Sequence, residues 1–139
     1  MVFIASDHAG FSLKNFLVEH LRQAGHEVLD LGPAEAVSCD YPTSAKAVAD
    51  QILLNQNSLG ILICGTGLGM SMAANRVPGI RAALSTCEFH ARMSRAHNNA
   101  NILCLGERVT GQGLAADLAN IFLSTPFEGG RHQRRIDLF

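Results

Sequence analysis

The sequence predicts an α/β fold built on a doubly wound, open sheet of five parallel strands. Three observations lead there. Short apolar runs alternate along the chain with segments whose apolar residues recur at helical spacing. No hairpin signal joins neighbouring runs, so the strands connect by crossovers, which are right-handed in a parallel sheet. One run, Leu59 to Cys64, ends abruptly in glycines at alternate positions, Gly65, Gly67 and Gly69. A buried strand feeding a Gly-rich turn and then a helix is how α/β proteins present backbone N–H groups to an anion.

Val2 to Ala5 reads as a buried first strand, followed by the polar turn Ser6-Asp7-His8-Ala9-Gly10. Leu13, Phe16, Leu17, Leu21 and Ala24 predict the first helix, which Gly25 stops. Glu27 to Leu31 is the second strand, and Gly32 to Pro42 an irregular loop carrying Cys39-Asp40-Tyr41-Pro42. Ala45, Val48, Ala49, Ile52 and Leu53 predict the second helix. The third strand is Leu59 to Cys64, and its glycine loop runs into a third helix near Ser71 to Arg76. After the turn Val77-Pro78-Gly79, Ile80 to Leu84 is the fourth strand, and Cys87 to about Ala96 a fourth helix ending at His97-Asn98-Asn99. Asn101 to Leu105 is the fifth strand, followed by Gly106-Glu107-Arg108; Leu114, Leu118, Ile121 and Phe122 mark a fifth helix, broken by Pro126 and Gly129-Gly130. The tail from Arg131 to Phe139, basic and then apolar, predicts a short sixth helix. The architecture expected is a single-domain Rossmann-like sheet over residues 1–139 with a C-terminal helical tail.

The totals agree and exclude several classes. The chain has 139 residues, enough for one core and few for two. Apolar content of 47% and charged content of 17% suit a well-buried domain rather than a disordered chain. A formal net charge of −1 gives no basic field for nucleic acid. Cys39, Cys64, Cys87 and Cys104 are widely spaced with no C-x-x-C pair, which argues against a zinc ribbon or a thioredoxin motif. No signal peptide precedes the first strand and no apolar run approaches the roughly 20 residues that span a bilayer, so a cytoplasmic protein without a membrane partner is expected.

In such sheets ligands bind outside the carboxyl ends of the strands. The loops after strands one, three, four and five therefore share an edge, and offer Asp7, His8, Cys64, Thr66, Ser85, Thr86, Glu107 and Arg108 around the glycine nest. His97 and Asn98 differ, because the fourth helix ends at the opposite edge. If His97 is catalytic it belongs to a neighbouring subunit's site. The tail, with Arg131, Arg135 and then Ile136, Leu138 and Phe139, has the look of a segment that packs on a partner. A homodimer with shared sites is the expectation.

The glycine loop fits few familiar uses. A dinucleotide loop needs G-x-G-x-x-G, but the third position here is Met70 and the loop follows the third strand. A P-loop needs Gly-Lys-Ser/Thr, and Met70-Ser71-Met72 has no lysine. A phosphatase-type loop would carry an arginine where Met70 stands. A general base remains: at the start of a nest and a helix, positive potential favours thiolate over thiol. A thiolate beside N–H donors can take a proton α to a carbonyl while the donors, with Thr66, hold the enolate oxygen. Blander readings stand beside these. Cys64 can be a small buried residue, Asp7 an N-cap, His8 an exposed turn residue, and His97-Asn98-Asn99 a helix C-cap. Arg131, Arg134 and Arg135 can be a solvated face, although Arg131 and Arg135 at i, i+4 put two guanidiniums on one side of a helix, which suits a phosphate.

Ser6-Asp7-His8-Ala9-Gly10, Asp40-Tyr41-Pro42, Ile63-Cys64-Gly65-Thr66-Gly67-Leu68-Gly69, Ala74-Asn75-Arg76, His97-Asn98, Gly106-Glu107-Arg108 and Glu128-Gly129-Gly130-Arg131-His132-Gln133 together resemble the ribose-5-phosphate isomerase B (RpiB/LacAB) family of sugar-phosphate isomerases, in order and over nearly the whole chain. The resemblance implies an aldose–ketose isomerase that interconverts ribose 5-phosphate and ribulose 5-phosphate without metal or organic cofactor. It implies that Cys64 is the base moving a proton between C1 and C2, and that the loop Gly65 to Gly69, Leu68 included, holds a cis-enediolate with Thr66. It makes His97 the acid that opens the furanose ring, with Asp7 on the sugar. His8, Arg108, Arg131 and Arg135 match phosphate- and sugar-contacting positions, Asn98 a substrate-binding position, and Tyr41 lies near the sugar. The family's active unit is a dimer, sometimes paired into tetramers, with sites built from both chains.

Two departures from the pattern stand out: the tail stops at Phe139, and Arg134 stands where glutamine is familiar. Both the His97-Asn98 pair and the Gly-Gly-Arg-His-Gln stretch are present, which favours a five-carbon substrate over galactose 6-phosphate. Allose 6-phosphate and four-carbon sugar phosphates stay open, because a methylene-sized difference shifts binding by only about 1–3 kcal/mol. A sugar-phosphate-binding module without catalysis is the alternative from another class. An NAD-dependent oxidoreductase is a third, which NAD binding by the purified protein would decide.

Overall fold

A computed structural model describes residues 1–139. Strands β1 (Val2–Ser6), β2 (Val28–Asp30), β3 (Leu59–Cys64), β4 (Ala82–Leu84) and β5 (Ile102–Gly106) pair in parallel in the order β2-β1-β3-β5-β4. Helices α1 (Phe11–Gln23), α2 (Tyr41–Leu54), α3 (Leu68–Ala74), α4 (Glu88–Ala96), α5 (Gln112–Ser124) and α6 (Arg131–Ile136) complete the chain, with a single 3₁₀ turn at His8–Gly10 ahead of α1.

The strands are apolar at nearly every position because both faces of the sheet are covered. Val2, Ile4, Ile61, Ile63, Leu103 and Leu105 point to the side of α1, α4 and α5, where they meet Leu17, Leu21, Ala91, Leu118 and Phe122. The alternate residues Phe3, Ala5, Leu62, Cys64, Ile102 and Cys104 face α2 and α3, meeting Val48, Ile52, Met70 and Ala74. Period-two alternation thus divides one sheet between two cores. It also turns the Cys64 side chain toward the α2/α3 layer.

Three boundaries differ from the expectation. α2 begins at Tyr41 rather than Ala45, with Pro42 in its first turn. There the missing N–H removes no helical bond, so a proline that read as loop opens a helix. α3 begins at Leu68 rather than Ser71, because Gly67 adopts a left-handed φ of 78° and turns the chain directly into the helix. β4 starts at Ala82, two residues after Ile80, and is the short edge strand of the sheet. The basic tail does form α6, on which His132 and Ile136 are buried while Arg131, Arg134 and Arg135 are exposed.

Candidate active site

Chain direction creates the crevice. β1 leads into α1 on one face of the sheet, whereas its neighbour β3 leads into α3 on the other. The carboxyl ends of two adjacent strands whose connections part in this way leave a gap that neither helix covers. A cleft of 260 Å³ opens there, lined by Asp7, His8, Ala9, Tyr41, Cys64, Gly65, Thr66, Gly69 and Arg108. The ends of β1, β3 and β5 and the start of α2 all contribute. The loop after β4, with Ser85 and Thr86, adds nothing to this lining, since β4 is the outer strand.

Cys64 ends β3 and is only 5% exposed. The backbone N–H of Gly67 donates to its Sγ over 3.1 Å. The N–H of Leu68 donates to the Thr66 hydroxyl over 3.3 Å, which orients that hydroxyl at the exposed rim of the loop. The next strand locks the loop from beneath: the N–H of Glu107 donates to the Cys64 carbonyl at 2.9 Å and that of Arg108 to the Gly65 carbonyl at 3.0 Å. A Cβ on Gly65 would lie 3.0 Å from Nη1 of Arg108, and one on Gly69 would lie 2.8 Å from Cζ of Tyr41. The missing side chains therefore let Arg108 and Tyr41 close onto the loop from two sides. Gly67 is buried and Leu68 stands exposed at the helix start; neither lines the cleft.

Asp7 caps the turn before α1 with one carboxylate oxygen and faces the cleft. Its Oδ1 accepts from the N–H groups of Ala9 at 2.9 Å and Gly10 at 3.1 Å, capping the turn before α1. Its Oδ2 has no protein partner, and the residue, 6% exposed, lines the cleft. His8 is exposed, and its Nδ1 accepts a weak bond from the Cys39 N–H at 3.4 Å. Glu107 turns away, accepting from the Leu13 N–H at the start of α1. The second buried thiol of this layer, Cys104, lies outside the cleft. Burial, and secondarily Cys64, push its titration far up, which keeps it a thiol.

His97, Asn98, Arg131 and Arg135 are absent from this cleft. The end of α4 lies where the sheet begins: the Asn101 N–H donates to the Arg81 carbonyl just ahead of β4, and the Gly60 N–H to the Asn101 carbonyl. His97 is half-exposed there and stacks on His132 of α6, with ring centroids 4.1 Å apart and planes 11° from parallel. Nε2 of His97 lies 3.7 Å from Oε2 of Glu128, and Nε2 of His132 lies 3.5 Å from the same oxygen. The Glu128 N–H donates to the Ala96 carbonyl and so ties this carboxylate to the end of α4. Glu128 and His132 join this cluster; their i, i+4 spacing at the start of the basic tail is the sequence signal that pairs them. Burial, then the charges of His97 and Arg131, hold His132 below the ordinary histidine range, while Glu128 pulls the other way.

The three donor atoms of His97, Glu128 and His132 lie within 4.8 Å of one another, and two imidazoles with a carboxylate are a donor set that suits zinc. The parallel stack, however, directs the in-plane lone pairs of the two rings side by side rather than at one point. The arrangement sets both imidazole Nε2 atoms beside one Glu128 oxygen, with the buried His132 ring as the platform under His97. The chain therefore carries two clusters. One, at the carboxyl edge, joins a thiol to a nest of N–H donors, a hydroxyl, a carboxylate and a guanidinium. The other, at the amino edge, joins a histidine pair to a carboxylate and the arginines of α6.

A sequence model described as Ribose/Galactose Isomerase matches residues 2–139. A probable ribose-5-phosphate isomerase B of Mycoplasma genitalium is 49% identical over 138 residues, covering 98% of this chain and 91% of that protein. Among solved structures, a ribose 5-phosphate isomerase of Thermotoga maritima superposes with a TM-score of 0.96 at 54% identity, covering 99% of this chain and 94% of that one. The Mycoplasma genitalium enzyme with bound ribulose 5-phosphate superposes with a TM-score of 0.95 at 49% identity, over 99% of this chain and 91% of that one.

Proposed function

Because the chain belongs to the ribose/galactose isomerase family and is on that ground a sugar-phosphate isomerase, we propose that it interconverts D-ribose 5-phosphate and D-ribulose 5-phosphate through a cis-enediolate. The observation that carries this reading is the Gly67 N–H donated to the Cys64 sulfur inside the cleft. A sulfur held by an N–H and sunk beside further donors is placed to take up a proton without a histidine partner. Cys64 takes the proton from C2 of the open-chain aldose and returns it to C1, while the proton of the C2 hydroxyl passes to the C1 oxygen across the cis-enediolate, so that the aldehyde becomes an alcohol and C2 a ketone. The charge that builds on the substrate oxygens is met by the cleft-lining N–H groups of Gly65, Thr66 and Gly69 and by the Thr66 hydroxyl, while the N–H groups of Gly67 and Leu68 hold the Cys64 sulfur and the Thr66 hydroxyl in place. The free Oδ2 of Asp7 orients a sugar hydroxyl, and Tyr41 forms a wall of the same cleft.

Ring opening needs an acid for the ring oxygen, and His97 is our assignment, with Asn98 beside it on the substrate. His8, Arg108, Arg131 and Arg135 are assigned to the phosphate and the distal hydroxyls, where guanidinium forks suit phosphoryl oxygens. The two clusters lie at opposite edges of the sheet, so one chain cannot bring both to one sugar. A homodimer in which the amino edge of each chain faces the carboxyl edge of the other resolves this. Exposed apolar side chains on α3, α4 and the tail, among them Met72, Phe89, Leu138 and Phe139, support such an interface. Residues 1–139 are read as a single domain.

The substrate assignment draws on the ribulose 5-phosphate seen in the Mycoplasma genitalium enzyme. It is tested by assaying the purified protein, with chelator present, against four-, five- and six-carbon aldose phosphates. The expected result is highest kcat/KM for ribose 5-phosphate. A six-carbon or four-carbon substrate turned over faster would move the assignment to that sugar.

A further inference from the structure

A cavity of 490 Å³ lies at the amino edge of the sheet, away from the Cys64 cleft, and nothing in the mechanism above uses it. Its walls come from the start of β3, the turn after α4 and the end of α5, and include Arg81, Arg95, Asn99, Asn101, Ser124 and Thr125. No aspartate or glutamate is among the lining residues. Neither arginine forms an ion pair anywhere in the chain.

The two guanidiniums are held by backbone oxygens rather than by charge. Nε of Arg81 donates to the carbonyls of Asn98 at 3.1 Å and Asn99 at 3.0 Å. Nη1 of Arg95 donates to Oδ1 of Asn99 at 2.9 Å and to the Ala100 carbonyl at 2.6 Å. Those bonds fix where the groups sit and leave much of their capacity unspent. Both Nη groups of Arg81 and Nη2 of Arg95 donate to no acceptor in the protein, and Nε of Arg95 is buried without a partner. Arg95 also lies over the Phe122 ring at 5.7 Å, half out of water. Its burial and the charge of Arg81 both work against its positive charge. Two like charges in a polar cavity without a counter-charge are stabilised most by an anion with several acceptor oxygens.

We propose that this cavity binds an oxyanion, a phosphate or the phosphoryl group of a small metabolite, between Arg81 and Arg95. The hydroxyls of Ser124 and Thr125 and the amides of Asn99 and Asn101 supply neutral polar groups around it. The site bears on the reaction through the turn it backs. The carbonyls that the arginines hold belong to Asn98, Asn99 and Ala100, directly after His97, and Asn99 sits there in a left-handed conformation with φ of 45°. An anion that draws the guanidiniums toward the cavity changes the hold on that turn. This consequence for turnover rests on the role proposed for His97; the binding itself does not.

Isothermal titration of the wild-type protein with orthophosphate tests it. Two sites per chain are expected, one in the substrate pocket and one here. Arg95→Gln and Arg81→Gln each weaken one of them at least tenfold and keep the other. The double change Arg131→Gln with Arg135→Gln does the reverse. A single phosphate per chain in the wild type overturns the proposal, and that measurement needs no variant to fold. So does a second site that neither Arg81→Gln nor Arg95→Gln weakens. Two sites of which none responds to Arg131 and Arg135 would instead remove their assigned phosphate role and leave this site standing. A parallel titration with ribose 5-phosphate separates the sources: filling of both sites marks a phosphorylated metabolite as the occupant, and filling of one marks free phosphate.

Discussion

The N–H of Gly67 is aimed at the sulfur of Cys64 across 3.1 Å, so the residue that turns the chain out of β3 also supplies the donor that holds the thiol. Two demands meet in one peptide group. The turn requires a left-handed φ of 78°, and the sulfur requires an N–H on its open side.

Replacing Cys64 by alanine is expected to lower turnover roughly 10²–10⁴-fold, the scale of general base catalysis, with sugar-phosphate binding largely kept. Steady-state rates and calorimetric binding on the same preparation check both halves. Cys104→Ala serves as the contrast: that thiol stays protonated in its buried setting, so turnover should remain near wild type. Unchanged turnover in Cys64→Ala would move the base elsewhere.

His97→Asn is expected to impair a cyclic aldose phosphate far more than an acyclic substrate, since ring opening is its assigned task. Comparing kcat/KM for ribose 5-phosphate with that for an acyclic aldose phosphate measures the split. Equal losses on both remove the role.

Gly67→Ala introduces a Cβ 2.5 Å from Cδ1 of Leu84 and 3.0 Å from the carbonyl carbon of Leu105, on a backbone with positive φ. A loss of about 1–3 kcal/mol of folding stability is expected from strain of this kind. Urea unfolding reads it as a lower midpoint at unchanged slope. An unshifted midpoint would show that the loop relaxes freely around the methyl group.

His132 binds a proton less readily folded than unfolded, because it is buried beside His97 and Arg131. As pH falls through the unfolded value of about 6.5, the unfolded chain takes up the extra proton first. The stabilising effect of a neutral His132 is therefore complete above that value and is lost as pH drops toward the folded one. Urea midpoints of the wild type should fall over this range, and His132→Gln should flatten the fall. The same pH slope in both proteins would assign the effect to another group.

Much of this layout was legible in the chain. Five apolar runs separated by helical periodicity gave the parallel sheet, observed with all five strands. The rule that ligands sit at carboxyl ends placed Asp7, Cys64 and Arg108 in one cleft. What escaped was decided by long-range contacts. Tyr41 reads as loop because its neighbour is Pro42; the first turn of a helix tolerates that proline, and the Tyr41 ring at its start closes on Gly69. Glu128 and His132 had no visible task until α6 folded back and stacked His132 on His97, a contact across 35 residues of sequence that no local pattern encodes. The separation of His97 from Cys64, by contrast, follows from helix direction alone and was readable at the outset.

In the shared-site homodimer proposed above, that separation has a genetic consequence. A Cys64→Ala chain and a His97→Asn chain, each strongly impaired on cyclic ribose 5-phosphate as a pure protein, carry their defects at opposite edges of the sheet. Mixed in equal amounts and allowed to exchange partners, half of the assembled pairs are hybrids, and each hybrid has one site with both lesions and one with neither. About a quarter of wild-type activity on ribose 5-phosphate should return from two impaired parents, the fraction that a two-fold shared site dictates. Two defective alleles of this gene would then complement one another, which variants confined to a self-contained pocket cannot do.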